Sequence, residues 1–484
     1  MPDAVLLWFR CDLRLNDHAG VAEAVRSGQP IIPLYIQDDH FAARPMGAAS
    51  RWWLNRSLTS LEAALRDHGS RLIIRQGDTK DILNQLILKN KIKTVICSRT
   101  FEPKCELFDA KFAQSETIEF KGFNTHLLAD PADIRTGSDG PYKVFTPFFR
   151  ALQAKGHLEG RSFSLPNKKW IAPDKWPHSQ TIDSLGLYPK IPPSGKDWSQ
   201  GFEQWTPGEQ GAHDRLQHFI EHGLKDYAEG RDRPDLDLTS HLSPHLRFGE
   251  ISPHRILYDL ERAVSGHAGL RQGCEKFKAE LAWRDFCFGI LNQQPDLHQV
   301  NFKPQFDDMP WEYNDRAFKA WCRGETGYSL VDAGMRELWR TGIMHNRVRM
   351  VCASFLVKHL MIDWRKGEQW FWDTLLDADP ANNPANWQWV AGSGADASPF
   401  FRIFNPITQA EKFDPDGHYR RENIAGFPEL KKPRTSKAKR KFEDDLFDFL
   451  GHKPDDEAAG NMIVDHGQAR QRALDAYAGL RKGD

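Results

Sequence analysis

Between Ala4 and Gly122 the chain carries five short apolar runs, AVLLWFR, PIIPLYI, RLIIRQ, TVICSR and TIEFKG, and a sequence built this way has few folds open to it. Stretches of helical period, such as SRWWLNRSLTSLEAALRDHG, separate the runs. Runs that are apolar without alternation mark strands buried on both faces, as in a parallel sheet covered by helices. Their alternation with helices predicts a doubly wound α/β domain, assigned to residues 1–130. No GxGxxG follows the first run, so the usual dinucleotide turn is missing and the sequence of this domain does not name its ligand.

A chain of 484 residues is too long for one ordinary core. Between Gly160 and Gly208 the composition shifts to Pro, Lys, Ser and Trp, which cannot hold a helix, and we assign residues 131–208 to an extended connecting segment. From 209 to 484 helical spacing dominates, predicting a mostly α-helical second domain. The net charge of −1 excludes a generally basic chain, so any nucleic-acid surface has to be a local patch. Seven scattered Cys with no CxxC argue for a reducing compartment and against a disulfide frame or a zinc or iron–sulfur site. No run of about 18 apolar residues occurs, and a soluble cytoplasmic monomer without a metal is expected. The basic run KKPRTSKAKRK from Lys431 to Lys441 reads as solvated surface.

The stretch from Trp321 to Asp414 stands apart, because Trp recurs in it and acids, Asn and Arg sit among apolar helical residues. Buried polar groups need partners. Upstream, Thr239, Ser240 and Ser243 precede Pro244 at a helix start, which suits either simple capping or phosphate binding. In FKAELAWRDFCFGIL, Glu280, Trp283, Arg284 and Cys287 share one helical face; Glu280 and Arg284 alone would make an ordinary surface pair. Asn346 and Met350 lie one turn apart, beside His345 and Arg349. Asp377 and Asp379 sit two apart before Pro380. Either a cation such as Arg349 pairs with them, or they are acids at a helix N-terminus.

Together these segments resemble the photolyase and cryptochrome flavoprotein family over nearly the whole chain. WFRCDLRLND, YKVFTPFFRA, TSHLS, ELAWRDF, TGYSLVDAGMRELWRTGIMHNRVRM, DADPANN, FFRIFNP and IVDHGQARQRALDAY occur in the family's order. The resemblance implies a Rossmann-like domain for an antenna chromophore, methenyltetrahydrofolate by family frequency, and a helical domain for FAD. Residues matching the FAD site are Tyr227, Thr239, Ser240, His241, Leu242, Ser243, Phe277, Arg284, Arg349, Asp377 and Asp379, with Asn383 beside flavin N5. A relay of three tryptophans corresponds to Trp387, Trp364 and Trp311. The lesion pocket corresponds to Glu280, Trp283, Asn346, Met350 and Trp389, with Arg231, Arg347, Arg402 and Gln409 at its mouth. The implied activity is light-driven repair of cyclobutane pyrimidine dimers in UV-damaged DNA.

The chain departs from the family pattern at several places. Cys11 and His18 stand where Arg and Asn are commoner, Ile343 where an aromatic is common on the DNA side, and Ala385 and Asn386 where a Gly pair is usual. Two rivals are a cryptochrome photoreceptor and a (6-4) photolyase. Plant-type cryptochromes tend to carry Asp at the position of Asn383 and Tyr at that of Trp389, and a (6-4) enzyme would want His at the positions of Asn346 and Met350.

Overall fold

A computed structural model of the chain describes residues 3–115, 117–162, 165–166, 169–188, 197–397, 401–426 and 462–480; the basic run from Lys431 to Lys441 lies outside them. All five apolar runs form strands: β1 (Ala4–Phe9), β2 (Ile31–Gln37), β3 (Ile73–Gln76), β4 (Ile92–Ser98) and β5 (Glu119–Phe123). They pair in parallel in the order β3-β2-β1-β4-β5. Successive side chains point to opposite faces. Val5, Leu7 and Phe9 therefore pack with Trp52 and Trp53, whereas Ala4, Leu6 and Trp8 pack with Ile82 and Leu83. The helices Ala19–Ser27 and Ala48–Asp67 cover the first face, and Thr79–Asn90 and Pro103–Phe112 the second.

Strand order reverses between β1 and β4, and at the carboxyl ends of β1, β2 and β4 lies a cavity of about 330 Å³, the place where open α/β sheets hold ligands. Trp8, Tyr35, Phe41 and Trp372 line it, together with Arg10, Arg44, Glu102 and Arg247. His18 caps the first helix: its Nδ1 accepts from the Val21 N–H at 3.2 Å, and its Nε2 lies 2.6 Å from Asp12.

Within 131–208, read from sequence as extended, Phe145–Ala154 is an α-helix. The Pro-rich composition starts only after Gly160, while Phe148 and Leu152 stand one turn apart and bury against the helical domain. Beyond residue 209 no strand occurs among the described residues. The helices that build the site are Arg271–Gln293, Ser329–Thr341, Asn346–Ser354, Trp364–Thr374 and Asn382–Ala391.

The two halves interlock. A Cβ on Gly47 would sit 2.0 Å from the Trp372 carbonyl oxygen, so only glycine allows this approach of the two backbones. Trp53 Nε1 donates to Glu250 at 3.0 Å, and Arg14 donates to the Gly249 carbonyl at 2.8 Å. Ile343 belongs to the same packing, buried with Trp52, Phe202 and Leu376. Its place in the turn before the Asn346 helix directs it towards the α/β domain.

Candidate functional site

The Asn346–Ser354 helix brings Arg349 to Asp377 in a bidentate pair of 3.1 and 2.8 Å. Its Nε donates to the Met344 carbonyl at 2.7 Å, so all three guanidinium nitrogens are held. Ser243 Oγ donates to the same Asp377 carboxylate at 2.6 Å. Of the two readings of the acidic pair, Asp377 takes the cation-paired one. Asp379 takes the other: its Oδ1 accepts from both the Ala381 and Asn382 N–H groups, at 2.8 and 2.6 Å, at the start of the Asn382–Ala391 helix. The division follows from position, since Asp379 is close enough to that helix for its side chain to reach the unpaired N–H groups and Asp377 is not.

None of the hydroxyls upstream of Pro244 caps the five-residue helix Ser243–Arg247. Ser243 is engaged by Asp377, Ser240 Oγ accepts from the Leu242 N–H, and Thr239 Oγ1 lies 3.3 Å from His241 Nε2. His241 itself adopts φ of 52°, which bends this loop. Leu242 is buried, and Tyr227 and Phe277 pack edge to face with ring centroids 5.4 Å apart.

Arg284 is buried and does not pair with Glu280. It donates to the His126 carbonyl at 2.7 Å, contacts the His126 ring and reaches the Leu246 carbonyl at 3.2 Å. Burial, and next the Arg284 charge, hold the His126 imidazole well below its usual range. Asn383 donates from Nδ2 to the Glu368 carbonyl at 3.0 Å and to its carboxylate at 2.8 Å, which leaves the amide oxygen for another donor.

On the outer side, Glu280 pairs with Arg231, and Arg347 with Asp232 at 2.6 Å. Asn346 is exposed, Met350 half-buried on the same face. Trp283 stacks on Phe145 with centroids 3.8 Å apart and planes within 6°. Trp389 donates through Nε1 to the Asp396 carbonyl at 3.1 Å. Arg402 is exposed and has no acidic partner among the described residues, whereas Gln409 Oε1 is buried without a hydrogen-bond donor among them. Trp387 is buried against Phe371 and Trp321, with centroids 4.9 and 6.1 Å away. Trp364 Nε1 donates to Asn301 at 2.9 Å, and Trp311 is half-buried against the same core. Among the described residues no cluster of His, Cys, Asp and Glu is able to hold a metal.

Residues 5–167 match the family model described as DNA photolyase, and residues 277–479 the one described as FAD binding domain of DNA photolyase. A deoxyribodipyrimidine photo-lyase of Agrobacterium fabrum is 46% identical over 99% of this chain and 98% of its own. The chain belongs to the DNA photolyase family. A crystal structure of a bacterial class III photolyase from Agrobacterium tumefaciens covers 100% of this chain and 98% of its own, with 44% identity and a TM-score of 0.88. Cryptochrome-1 of Arabidopsis thaliana is 32% identical over 89% of this chain and 63% of its own.

For a photolyase-family chain the decisive test is whether these residues suit FAD, and they do. Positive charge from Arg284 and Arg349, the hydroxyls of Thr239, Ser240 and Ser243, and an amide with a spare carbonyl oxygen are the chemical types suited to a molecule that joins a pyrophosphate to a ring with N–H donors. His345 adds an orphaned donor. Burial pushes its ring down to about 4, its Nδ1 accepts from the Arg347 N–H, and its Nε2 is buried with no partner among the described residues. A buried donor of that kind is satisfied by a bound acceptor.

Sequence reasoning passed over Glu368, Arg44, His126 and Phe145 as individual residues. Glu368 had one signal, an acid on the buried face of the aromatic-rich helix WRKGEQWFWDT. The others act across the domain boundary, where periodicity within one element says nothing.

Proposed function

We propose that this chain is a light-driven DNA repair lyase that reverses cyclobutane pyrimidine dimers. Whole-length likeness to a deoxyribodipyrimidine photo-lyase carries this reading. The chemistry FAD supplies when bound is one-electron donation under blue light. Arg349, held by Asp377 and the Met344 carbonyl, and Arg284 would bind and orient it, with Tyr227, Thr239 to Ser243, Phe277 and Asp379 around it; Asn383 would accept a hydrogen bond at N5. Glu280, released from Arg231 when DNA binds, would face a dimer carbonyl and would donate a hydrogen bond to it only in its protonated form. Extrusion of the damaged bases from the stack is a general behaviour of photolyases, not a deduction from this geometry.

The lesion class rests on Asn346 and Met350. An amide and a thioether are able to bond a carbonyl and pack a ring, and neither transfers a proton near neutral pH. A (6-4) product needs acid–base groups as well as an electron. Illumination of two oligonucleotides, each carrying one lesion, tests this. Restoration of the cyclobutane strand alone is expected, and efficient repair of the (6-4) strand would overturn the assignment.

We further place an antenna chromophore in the cavity at the carboxyl ends of β1, β2 and β4, with methenyltetrahydrofolate as the candidate. Aromatic walls suit a flat ring. Burial raises the Glu102 carboxyl, and Arg247, Arg10 and Arg44 offset this with their charge, an acid placed to read ring N–H groups. A near-ultraviolet band separate from the flavin bands in the purified protein is the expected sign. The divisions at 130 and 208, a monomeric state and a cytoplasmic location belong to the same proposal. The location accords with seven unpaired cysteines and with no described helix long and apolar enough to cross a membrane.

A further inference from the structure

Trp283 and Trp389 reach the lesion side from different helices, Arg271–Gln293 and Asn382–Ala391, and no hydrogen bond joins them directly. Both are nevertheless tied to one residue. The Asp396 carbonyl accepts from Trp389 Nε1 at 3.1 Å, and the Asp396 carboxylate accepts from the Phe145 N–H at 3.3 Å. Phe145 in turn lies flat on Trp283, 3.8 Å between centroids and 6° between planes.

Two local features show that the tie is built in. Phe145 opens the helix Phe145–Ala154, whose N-cap position, Val144, offers no side-chain acceptor. The N–H groups of a first helical turn need acceptors, and Asp396 supplies one from 251 residues away. Asp396 also adopts φ of 51°, a conformation that a residue with a Cβ visits rarely and that Asn, Asp and Gly tolerate best. That turn brings its carbonyl to Trp389 and its carboxylate to Phe145 together.

An indole has two stacking faces. Phe145 occupies one face of Trp283, and Phe286 lies 5.6 Å from it with planes at 84°, so at most one face is left for a base. We infer that Phe145 and Asp396 are positioning residues of the lesion pocket, clamping Trp283 from behind and joining it to Trp389 so that both walls stand ready before DNA arrives. This rests on the assignment of Trp283 and Trp389 to that pocket. Neither Phe145 nor Asp396 touches the dimer.

The test uses the full FAD-loaded protein and an oligonucleotide with one thymine dimer, beside the same oligonucleotide undamaged. Phe145→Leu keeps an apolar side chain and removes the flat ring. It is expected to weaken dimer binding by roughly 2- to 12-fold, the range of a lost aromatic pair, with undamaged-DNA binding and the flavin spectrum unchanged. Repair at saturating dimer should proceed at the parent rate, and Phe145→Tyr should restore affinity. Asp396→Gly keeps the backbone turn but removes the carboxylate, and should reproduce the loss; Asp396→Asn, which retains an acceptor, should not. Trp283→Ala separates the two levels of argument. If it leaves dimer affinity intact, the lesion pocket itself is misassigned. If it weakens binding while Phe145→Leu and Asp396→Gly do not, or if those variants weaken damaged and undamaged DNA alike, the clamp is wrong. Should Phe145→Leu fail to fold, the Asp396→Gly and Asp396→Asn pair decides the matter.

Discussion

Asn383 donates to a Glu368 carboxylate that is almost completely buried and is gripped on both oxygens by Arg44. Arg44 comes from the α/β domain, lines its cavity and lies 3.6 Å over the Trp372 ring. The amide matched to flavin N5 is thus oriented by a charge from the other domain. A buried acid needs such a cation, and the interlocked backbones at Gly47 and Trp372 bring it within reach.

Removing that acid strands a cation. Glu368→Ala should lower stability by about 3–5 kcal/mol, the usual penalty for breaking a buried ion pair from one side. Glu368→Gln keeps an acceptor for Asn383 and should lose less. Urea denaturation of both variants measures it; equal losses would mean that Asn383 gains nothing from this bond.

Trp387 is enclosed by Phe371 and Trp321, and indole is the side chain here best able to lose and regain an electron. Trp387→Phe should block light-driven reduction of oxidised FAD and leave repair by already reduced enzyme in place. Normal photoreduction in the variant would exclude Trp387, and with it the relay through Trp364 and Trp311.

The Arg residues at the pocket mouth are not equivalent. Arg231 and Arg347 already have Glu280 and Asp232, whereas Arg402 is exposed without an acid among the described residues. Arg402→Ala should reduce the slope of log K against log salt by about 0.9, one phosphate contact, and Arg231→Ala and Arg347→Ala by less. Titrations of damaged DNA at several salt concentrations check the order. An unchanged slope for Arg402→Ala would remove it from the DNA face.

Burial raises the Glu337 carboxyl from 4.5 to about 7, although the Tyr419 hydroxyl donates to it at 2.5 Å. The folded state therefore keeps a proton that the unfolded chain has released. The associated stability is fully present below about pH 4.5 and is lost as pH rises through about 7. Glu337→Gln cannot titrate, so its stability relative to the parent should climb between those values and stay flat above. Urea midpoints at pH 5, 6 and 8 read this directly; a constant difference would show that Glu337 stays ionised throughout.

The sequence by itself determined the five parallel strands, because burial on both faces leaves unbroken apolar runs, and the helical second half, because its apolar spacing has one period. Motifs in a fixed order also placed the chain in its family, and from that family came the roll of proposed site residues. Pairing was different. Whether Asp377 or Asp379 met a cation, whether Glu280 bonded Arg284 or Arg231, and where Ile343 pointed were decided by neighbours distant in sequence, such as Arg349, 28 residues from Asp377, and Arg231, 49 residues from Glu280. Periodicity encodes which face of an element is buried. Only the tertiary structure brings the opposite charge, the second ring or the spare acceptor to that face, and hydrogen bonds act only within about 3 Å.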